Sequence, residues 1–411
     1  MKLVVAGSGP AGITVAARVR ERDPRATITV LSAEPFPPYS PPAMADHFLT
    51  GRDATLYWRG ADVCARLGVE ERRGVRATHV DTQRRRLTLD DGATLDYDTL
   101  VIATGSRLYA PLPGADLPGV LDFKSLLAAT RIVERVRGGQ ARTAVITGCG
   151  FIGVEIALLL ADLGVRPTIL GRRRWVMPRM LDTETAAVAE AVMRRRGVDV
   201  QLGDEAMEFL GDTSVRGLRM RSGRVITADL YIAATGVKPN VDLLDGSGIT
   251  HEWGVHVDDR LRTDAPGVYA CGDVAEAADR MSGERYVHAI FPNAVAQAEV
   301  VARNVCGDGA VYAGAESMNS LKHLGVPIVA IGAMEGEETF TARDGDSLRK
   351  VFVSDGRIVG VRLTGDVRAA GMLRTMMLNR EDVSRRGAEL VDPRLGMGGR
   401  VWSAMLPGRA A

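Results

Sequence analysis

One pattern, met twice, decides most of what this chain can fold into. Lys2-Leu3-Val4-Val5-Ala6 reads as a short buried strand, Gly7-Ser8-Gly9-Pro10-Ala11-Gly12 follows directly, and Ile13, Ala16 and Ala17 mark the buried face of a helix. From Ala144 the order repeats as Ala144-Val145-Ile146-Thr147, then Gly148-Cys149-Gly150-Phe151-Ile152-Gly153, then an apolar helix over Val154 to Leu163. Each copy closes on an apolar strand ending in Ala-Thr-Gly, at Ala103-Thr104-Gly105 and Ala234-Thr235-Gly236. Two matched pairs of motifs, each offset by about 130 to 140 residues, amount to an internal duplication.

The spacing explains the chemistry. In a GxGxxG turn between strand and helix, the first glycine allows the tight turn and the second lets backbone approach a pyrophosphate. The third lets helix and strand pack closely. The helix N-terminus then offers unpaired N–H groups to the phosphates. The chain is therefore read as holding two dinucleotides. The copies differ where a ribose belongs. The strand Ile28-Thr29-Val30-Leu31 ends near Glu34, whose carboxylate can accept hydrogen bonds from a ribose diol. The strand Thr168-Ile169-Leu170 instead ends in Gly171-Arg172-Arg173-Arg174. Arginine pairs with a 2′-phosphate in bidentate fashion; the other reading is a solvated basic turn. NAD and NADP both stay open at the second site.

Totals exclude other classes. A chain of 411 residues suggests two or three domains. With 52 Lys plus Arg against 51 Asp plus Glu, no global field favours nucleic acid or an anionic membrane. No apolar run reaches the roughly 18 residues of a membrane span. The chain starts at once with a fold strand, which leaves no room for a signal peptide, and the cytoplasm is expected. Cys64, Cys149, Cys271 and Cys306 form no CxxC pair, and the histidines (His47, His79, His251, His256, His288, His323) show no ligand spacing. No metal site is expected, and redox chemistry must come from a bound cofactor.

Between the motifs, Pro35-Phe36-Pro37-Pro38-Tyr39-Ser40-Pro41-Pro42 must be a stiff extended loop, either a connector or a wall of a cofactor pocket. Arg86 to Leu89 and Thr94 to Tyr97 read as strands joined at Asp90-Asp91-Gly92. Thr263-Asp264-Ala265-Pro266-Gly267-Val268-Tyr269-Ala270-Cys271-Gly272-Asp273 places a carboxylate at the end of a buried strand, within reach of a polyol chain; a helix cap is the alternative for Asp273. A helix follows from about Asn293 to Asn304, then strands such as Pro327 to Ala330 and Leu348 to Val353, with a turn at Ser354-Asp355-Gly356. A helix with Met372, Leu373, Met376 and Met377 and an apolar tail from Trp402 to Leu406 offer either a partner surface or packing within the C-terminal sheet or a homodimer.

In order, GSGPAG, ATG, GCGFIG with Glu155 two residues on, ATGVKPN and TDAPGVYACGD resemble the two-dinucleotide flavoproteins of the pyridine nucleotide-disulfide oxidoreductase superfamily over the whole chain. The resemblance implies two Rossmann-like three-layer dinucleotide-binding domains of glutathione-reductase type plus a C-terminal α+β interface domain. The expected division is 1–110 with 242–311 for FAD, 111–241 for NAD(P), and 312–411 for the interface. Implied FAD residues are Gly7, Gly9, Pro10, Ala11, Gly12, Glu34, Ala103, Thr104, Gly105, Asp273 on the ribityl chain and Asn293 at the helix aimed at the flavin. Implied NAD(P) residues are Gly148, Gly150, Phe151, Ile152, Gly153, Glu155, Arg172, Arg173 and Gly236.

The departures matter too. The family's disulfide reductases carry a CxxxxC pair, and its coenzyme A reductases and oxidases carry one cysteine after the first βαβ unit; Tyr39-Ser40-Pro41-Pro42-Ala43-Met44 carries none. The Tyr-Ser-Arg-Pro and lysine of ferredoxin and rubredoxin reductases are replaced by Pro41 and Asp46. That form, with Ser317-Met318-Asn319-Ser320-Leu321-Lys322, is more similar to NAD-linked flavoprotein subunits of phenylglyoxylate dehydrogenase and tungsten aldehyde oxidoreductase systems, and to the front of nitrite reductase large chains. The expected function is an FAD-dependent NAD(P)H oxidoreductase exchanging hydride between nicotinamide and flavin and electrons with an iron-sulfur partner subunit. A self-contained oxidase or dye reductase, and a non-enzymatic nucleotide-sensing module, are the alternatives.

Overall fold

The computed structural model describes residues 1–321 and 325–395, so Lys322, His323 and the apolar tail at Trp402 lie outside the described residues. The first copy runs β1 (Lys2–Ala6), α1 (Pro10–Arg22), β2 (Thr27–Ser32), β3 (Glu70–Arg73), β4 (Thr99–Ile102) and α2 (Leu126–Arg137). The second runs β5 (Thr143–Thr147), α3 (Phe151–Asp162), β6 (Arg166–Gly171), α4 (Thr183–Arg195), β7 (Asp199–Leu202) and β8 (Leu230–Ala233). The chain then supplies β9 (Val268–Ala270) and α5 (Phe291–Val305). It ends in β10 (Met318–Leu321), β11 (Ile328–Gly332), β12 (Glu338–Asp344), β13 (Ser347–Ser354), β14 (Arg357–Thr364) and α6 (Ala370–Leu378), followed by one short helical turn.

Two compact units emerge. One contains Met1–Pro111, Gly119–Ala141 and Ile232–Glu316; the other contains Leu112–Pro118, Arg142–Tyr231 and the chain from Ser317. In the first, five parallel strands lie in the order β9-β4-β1-β2-β3. The late strand β9 thus joins a sheet begun at residue 2. Leu3, Val4, Val5, Leu100, Val101 and Ile102 are all buried, as a parallel sheet covered on both faces requires. Each such side chain contributes about 1.5–3 kcal/mol on leaving water. The hairpin read at Asp90-Asp91-Gly92 is present, pairing Arg86–Leu89 with Thr94–Asp96.

In the second unit, β7, β6, β5 and β8 lie side by side, with β5, β6 and β7 parallel. The C-terminal sheet is antiparallel in the order β10-β11-β14-β13-β12. Asp355 and Gly356 have φ of 50° and 65°, the paired positive values of a two-residue hairpin turn. Leu373, Met376 and Met377 are buried and α6 lies against β14, so the methionine stripe packs on its own sheet. Lys350 on β13 reaches Asp182 Oδ2 at 3.1 Å and Glu184 Oε2 at 2.8 Å, tying the start of α4 to that sheet.

The strands and helices read from the sequence are present with moved boundaries, but the loop read as extended over 35–42 ends in a 3₁₀ turn at Pro41–Ala43, since proline suits the first positions of a helical turn, and runs into a helix at Met44–Thr50 that the sequence reading missed. Helices α3 and α5 start at Phe151 and Ile290's successor Phe291, earlier than periodicity suggests, because the N-caps Gly150 and Ile290 carry no capping side chain to announce them. No described helix is long and apolar enough to cross a membrane.

Candidate functional site

Both glycine turns have nearly the same backbone. Gly7 and Gly148 have φ of 120° and 106°, which only glycine adopts freely. Gly7 N–H donates to Leu31 O at 3.0 Å and Gly148 N–H to Leu170 O at 3.0 Å. The N-caps Gly9 and Gly150 have φ/ψ of −64°/−177° and −76°/−175°. Space decides the roles. A Cβ on Gly7 would sit 2.1 Å from Ala103 O, and one on Gly12 would sit 1.9 Å from Gly7 O, so neither can change. A Cβ on Gly9 or Gly150 would meet nothing within 4 Å. The middle glycine of each turn therefore faces open space at a helix N-terminus, as a pyrophosphate cradle should. Pro10 occupies the first position of α1, where its missing N–H costs nothing, and Ala11 is buried.

Around the first turn the late segment returns. Gly272 has φ 80°, and a side chain there would meet Ala11 Cβ at 3.0 Å. Asp273, next along, accepts hydrogen bonds at Oδ2 from Ser106 Oγ and Lys124 Nζ, both 2.9 Å. With side chains 19% and 25% exposed, Asp273 and Lys124 can still meet a ligand. Asp273 caps no helix. Thr104 Oγ1 donates to Asn240 O and Asn240 Nδ2 to Thr104 O, both 2.8 Å, while Gly105 O accepts from Asn240 N–H at 3.0 Å. The first Ala-Thr-Gly is thus stitched to the segment after the second.

Glu34 lies two residues past β2. Its Oε2 accepts from Tyr39 Oη at 2.6 Å and its Oε1 from Leu127 N–H at 3.1 Å; Tyr39 Oη in turn accepts from Leu126 N–H at 3.0 Å. The proline loop is thereby fastened to the first turn of α2, and burial beside Glu34 pushes the Tyr39 phenol well above its usual range. Asn293 is buried, and its amide donates to Glu316 O at 3.0 Å and accepts from Glu316 N–H at 3.1 Å. Its side chain clamps the start of α5; any contribution to a ligand comes through the helix backbone.

At the second turn, Gly153 is buried and Phe151 and Ile152 begin α3, with Ile152 exposed. Glu155 on the same helix is pushed up to about 7 by burial alone. Arg172, Arg173 and Arg174 are exposed just past β6, with Arg172 Nη1 3.5 Å from Glu205 Oε1. Gly236 O accepts from Tyr109 N–H at 2.9 Å. The four cysteines are free, and burial raises every thiol, Cys64 and Cys271 to about 12. None is a ready thiolate nucleophile. Among the described residues no group of His, Cys, Asp and Glu could hold a metal ion.

The sequence reading missed Lys124, Ser106, Tyr39 as a partner of Glu34, and Asn240. Lys124 and Asp273 stand 149 residues apart, so no local pattern links them. Tyr39 carried a signal: it is the one phenol in a loop that starts at the ribose acid.

Two open-centred glycine turns on parallel sheets, the first with a carboxylate at its strand tip and another delivered beside it, define a two-dinucleotide oxidoreductase. The chain belongs to the pyridine nucleotide-disulphide oxidoreductase family, whose profile matches residues 1–298. Flavoproteins of this family bind FAD and NAD(P)H, and the chain is a flavin-dependent NAD(P)H oxidoreductase. It is 29% identical to the NADH-dependent phenylglyoxylate dehydrogenase subunit epsilon of Aromatoleum evansii, over 98% of this chain and 97% of that one. It is also 29% identical to the NAD(P)H nitrite reductase of Bacillus subtilis over 93% of this chain, and spans 48% of that longer protein. A solved ferredoxin reductase from Rhodopseudomonas palustris superposes with a TM-score of 0.85 at 25% identity, covering 93% of this chain and 95% of that one. The family and fold expected from the motifs are those found.

Proposed function

We propose that the chain exchanges hydride with a nicotinamide dinucleotide at the second glycine turn and single electrons with an iron-sulfur partner protein through FAD at the first. The observation that carries this reading is the pair of turns, alike in backbone at Gly7 and Gly148 and each open at its middle glycine, Gly9 and Gly150. When bound, FAD supplies both the hydride and the one-electron chemistry. The chain's own residues position and polarise. Gly9 backbone and the α1 N-terminus would hold the pyrophosphate, Glu34 the adenosine ribose, and Asp273, oriented by Ser106 and Lys124, the ribityl chain. The α5 N-terminus, held by Asn293, would place its positive end toward the flavin. Glu155, set beside the second turn, is close to half-protonated near neutral pH and can donate or accept there.

The expected division into 1–110 with 242–311, 111–241 and 312–411 is proposed as the functional one, with a partner or a second copy meeting the last part and the whole working in the cytoplasm. The partner is supported by the relatives, one named a dehydrogenase subunit and one a ferredoxin reductase. The high thiol pKa values favour a partner over an internal dithiol relay. In the test, purified FAD-loaded protein is given NADH or NADPH and either ferricyanide or air alone. Fast ferricyanide reduction with slow oxygen uptake is expected. Oxygen uptake matching the ferricyanide rate would favour a self-contained oxidase, and no reduction with either nucleotide would end both readings.

A further inference from the structure

We infer that Asp279 and His288 are positioning residues for the flavin: their ion pair closes a ring of hydrogen bonds that fixes the first turn of α5 beside the first glycine turn. This rests on the proposed FAD at that turn. The helix starts next to the proposed site. Gln297 Oε1 accepts from Gly272 N–H at 2.7 Å. A Cβ on Gly272 would meet Ala11 Cβ at 3.0 Å and Ala294 Cβ at 3.7 Å. The start of α5 therefore lies against the turn that begins α1 and against the backbone that carries Asp273. Two donors stand open there. Phe291 N–H and Asn293 N–H bond nothing among the described residues, and Pro292 between them has no N–H. With so few donors, what the helix end can do depends on where they point.

That turn is held on two flanks. On one, the Asn293 amide bonds the Glu316 backbone in both directions, at 3.0 and 3.1 Å. Ala315 bonds the hairpin that leads into α5, its N–H donating to Ala278 O and its carbonyl accepting from Arg280 N–H, both at 2.8 Å. On the other flank, His288 O accepts from the N–H of the N-cap, Ile290, at 2.8 Å. The flanks are joined by His288 Nε2 and Asp279 Oδ2, 3.1 Å apart, with side chains only 1% and 8% exposed. His288 Nδ1 faces Tyr286 O at 3.1 Å, so both ring nitrogens meet acceptors, and the ring that bonds both is an imidazolium. Asp279 is its anion. Burial pushes that carboxyl up, but the N–H groups of Ser282 and Met281, His288 and the Tyr286 phenol bring it below the usual carboxylate range. A buried ion pair adds little stability over apolar side chains of similar volume. Here it sets the direction in which the hairpin enters α5. A positive helix end held in one direction favours reduced flavin, which carries the more negative charge.

The test reads the flavin potential of the FAD-loaded full chain by equilibration with a reference dye, beside its melting temperature. His288→Leu removes both ring contacts. It should lower the preference for reduced over oxidised FAD about tenfold, a fall of about 30 mV for a two-electron couple. His288→Gln keeps a donor toward Asp279 and should limit the loss to about threefold. Lys350→Met, which breaks a buried ion pair in the C-terminal sheet, should melt lower and leave the potential where it was. An unchanged potential in the His288 variants overturns the positioning role and leaves the proposed function standing. A potential for His288→Gln as low as that of His288→Leu would assign the effect to charge and also overturns it. Should His288→Leu not fold, His288→Gln decides alone, and the absence of its smaller fall is the overturning result. A parent chain that binds no FAD would remove the flavin reading of the first turn itself.

Discussion

Glu155 shows how burial alone sets a charge. Its carboxyl is raised from an ordinary 4.5 to about 7, with desolvation the cause. Below pH 4.5 the group is neutral folded or unfolded. Between about 4.5 and 7 the unfolded chain ionises first, so folding stability falls as pH rises through that window and stays reduced above it. Glu155→Gln should therefore match the parent in melting temperature at pH 4. At pH 8 it should melt higher, the gain being at most on the order of 3 kcal/mol. At the first site, Lys124→Met removes the one cation paired with Asp273 among the described residues. Retained FAD after gel filtration should fall, with affinity weakened by about tenfold, and Asp273→Asn should cost more. The glycines, Glu34 and Asp273 were legible in the sequence because each sits at a fixed offset from a strand end. Lys124 was not, since a long-range ion pair leaves no periodic trace.

The two strand-turn-helix units make the same request of their middle glycines, and that yields a paired experiment. Gly9→Ala and Gly150→Ala both add a methyl group to empty space at a φ that alanine adopts readily. Neither should lower the melting temperature of the FAD-free protein by more than about a degree or two. Gly9→Ala should abolish FAD retention. Gly150→Ala should keep the flavin and raise the KM for NAD(P)H several-fold or more. Unfolding by either variant would show that the cradle is a packing feature. Helix and strand existence was readable because apolar runs and glycine turns fix it, whereas the starts of α3 and α5 were not, because a glycine and an isoleucine cap them. The methionine stripe of α6 has a periodicity that fits a partner or its own sheet equally; only packing against β14 separates the two.

At the scale of the molecule, four free thiols, buried or half-buried and raised by that burial, lead to the prediction that electrons bypass sulfur. Iodoacetamide at pH 7.5 should leave ferricyanide reduction within about twofold of the untreated rate, whereas a thiol relay would be silenced. The duplication made most of this architecture legible, since each copy predicts the other. The grouping of the second copy with the C-terminal sheet was not, because it depends on side chains such as Lys350 meeting Asp182 and Glu184 far back in the chain. The path of the first sheet has a further result, in the order of biosynthesis. Strand β9 completes the sheet that β1 begins, and Asp273 the proposed site that Gly7 begins, yet the whole second copy is translated between them. A nascent chain stopped at residue 141 lacks the edge strand, the carboxylate and α5. The unit that holds the second copy is finished later still, since it takes in the chain from Ser317, and flavin capture at the proposed site is expected only from a chain made at least through Val305.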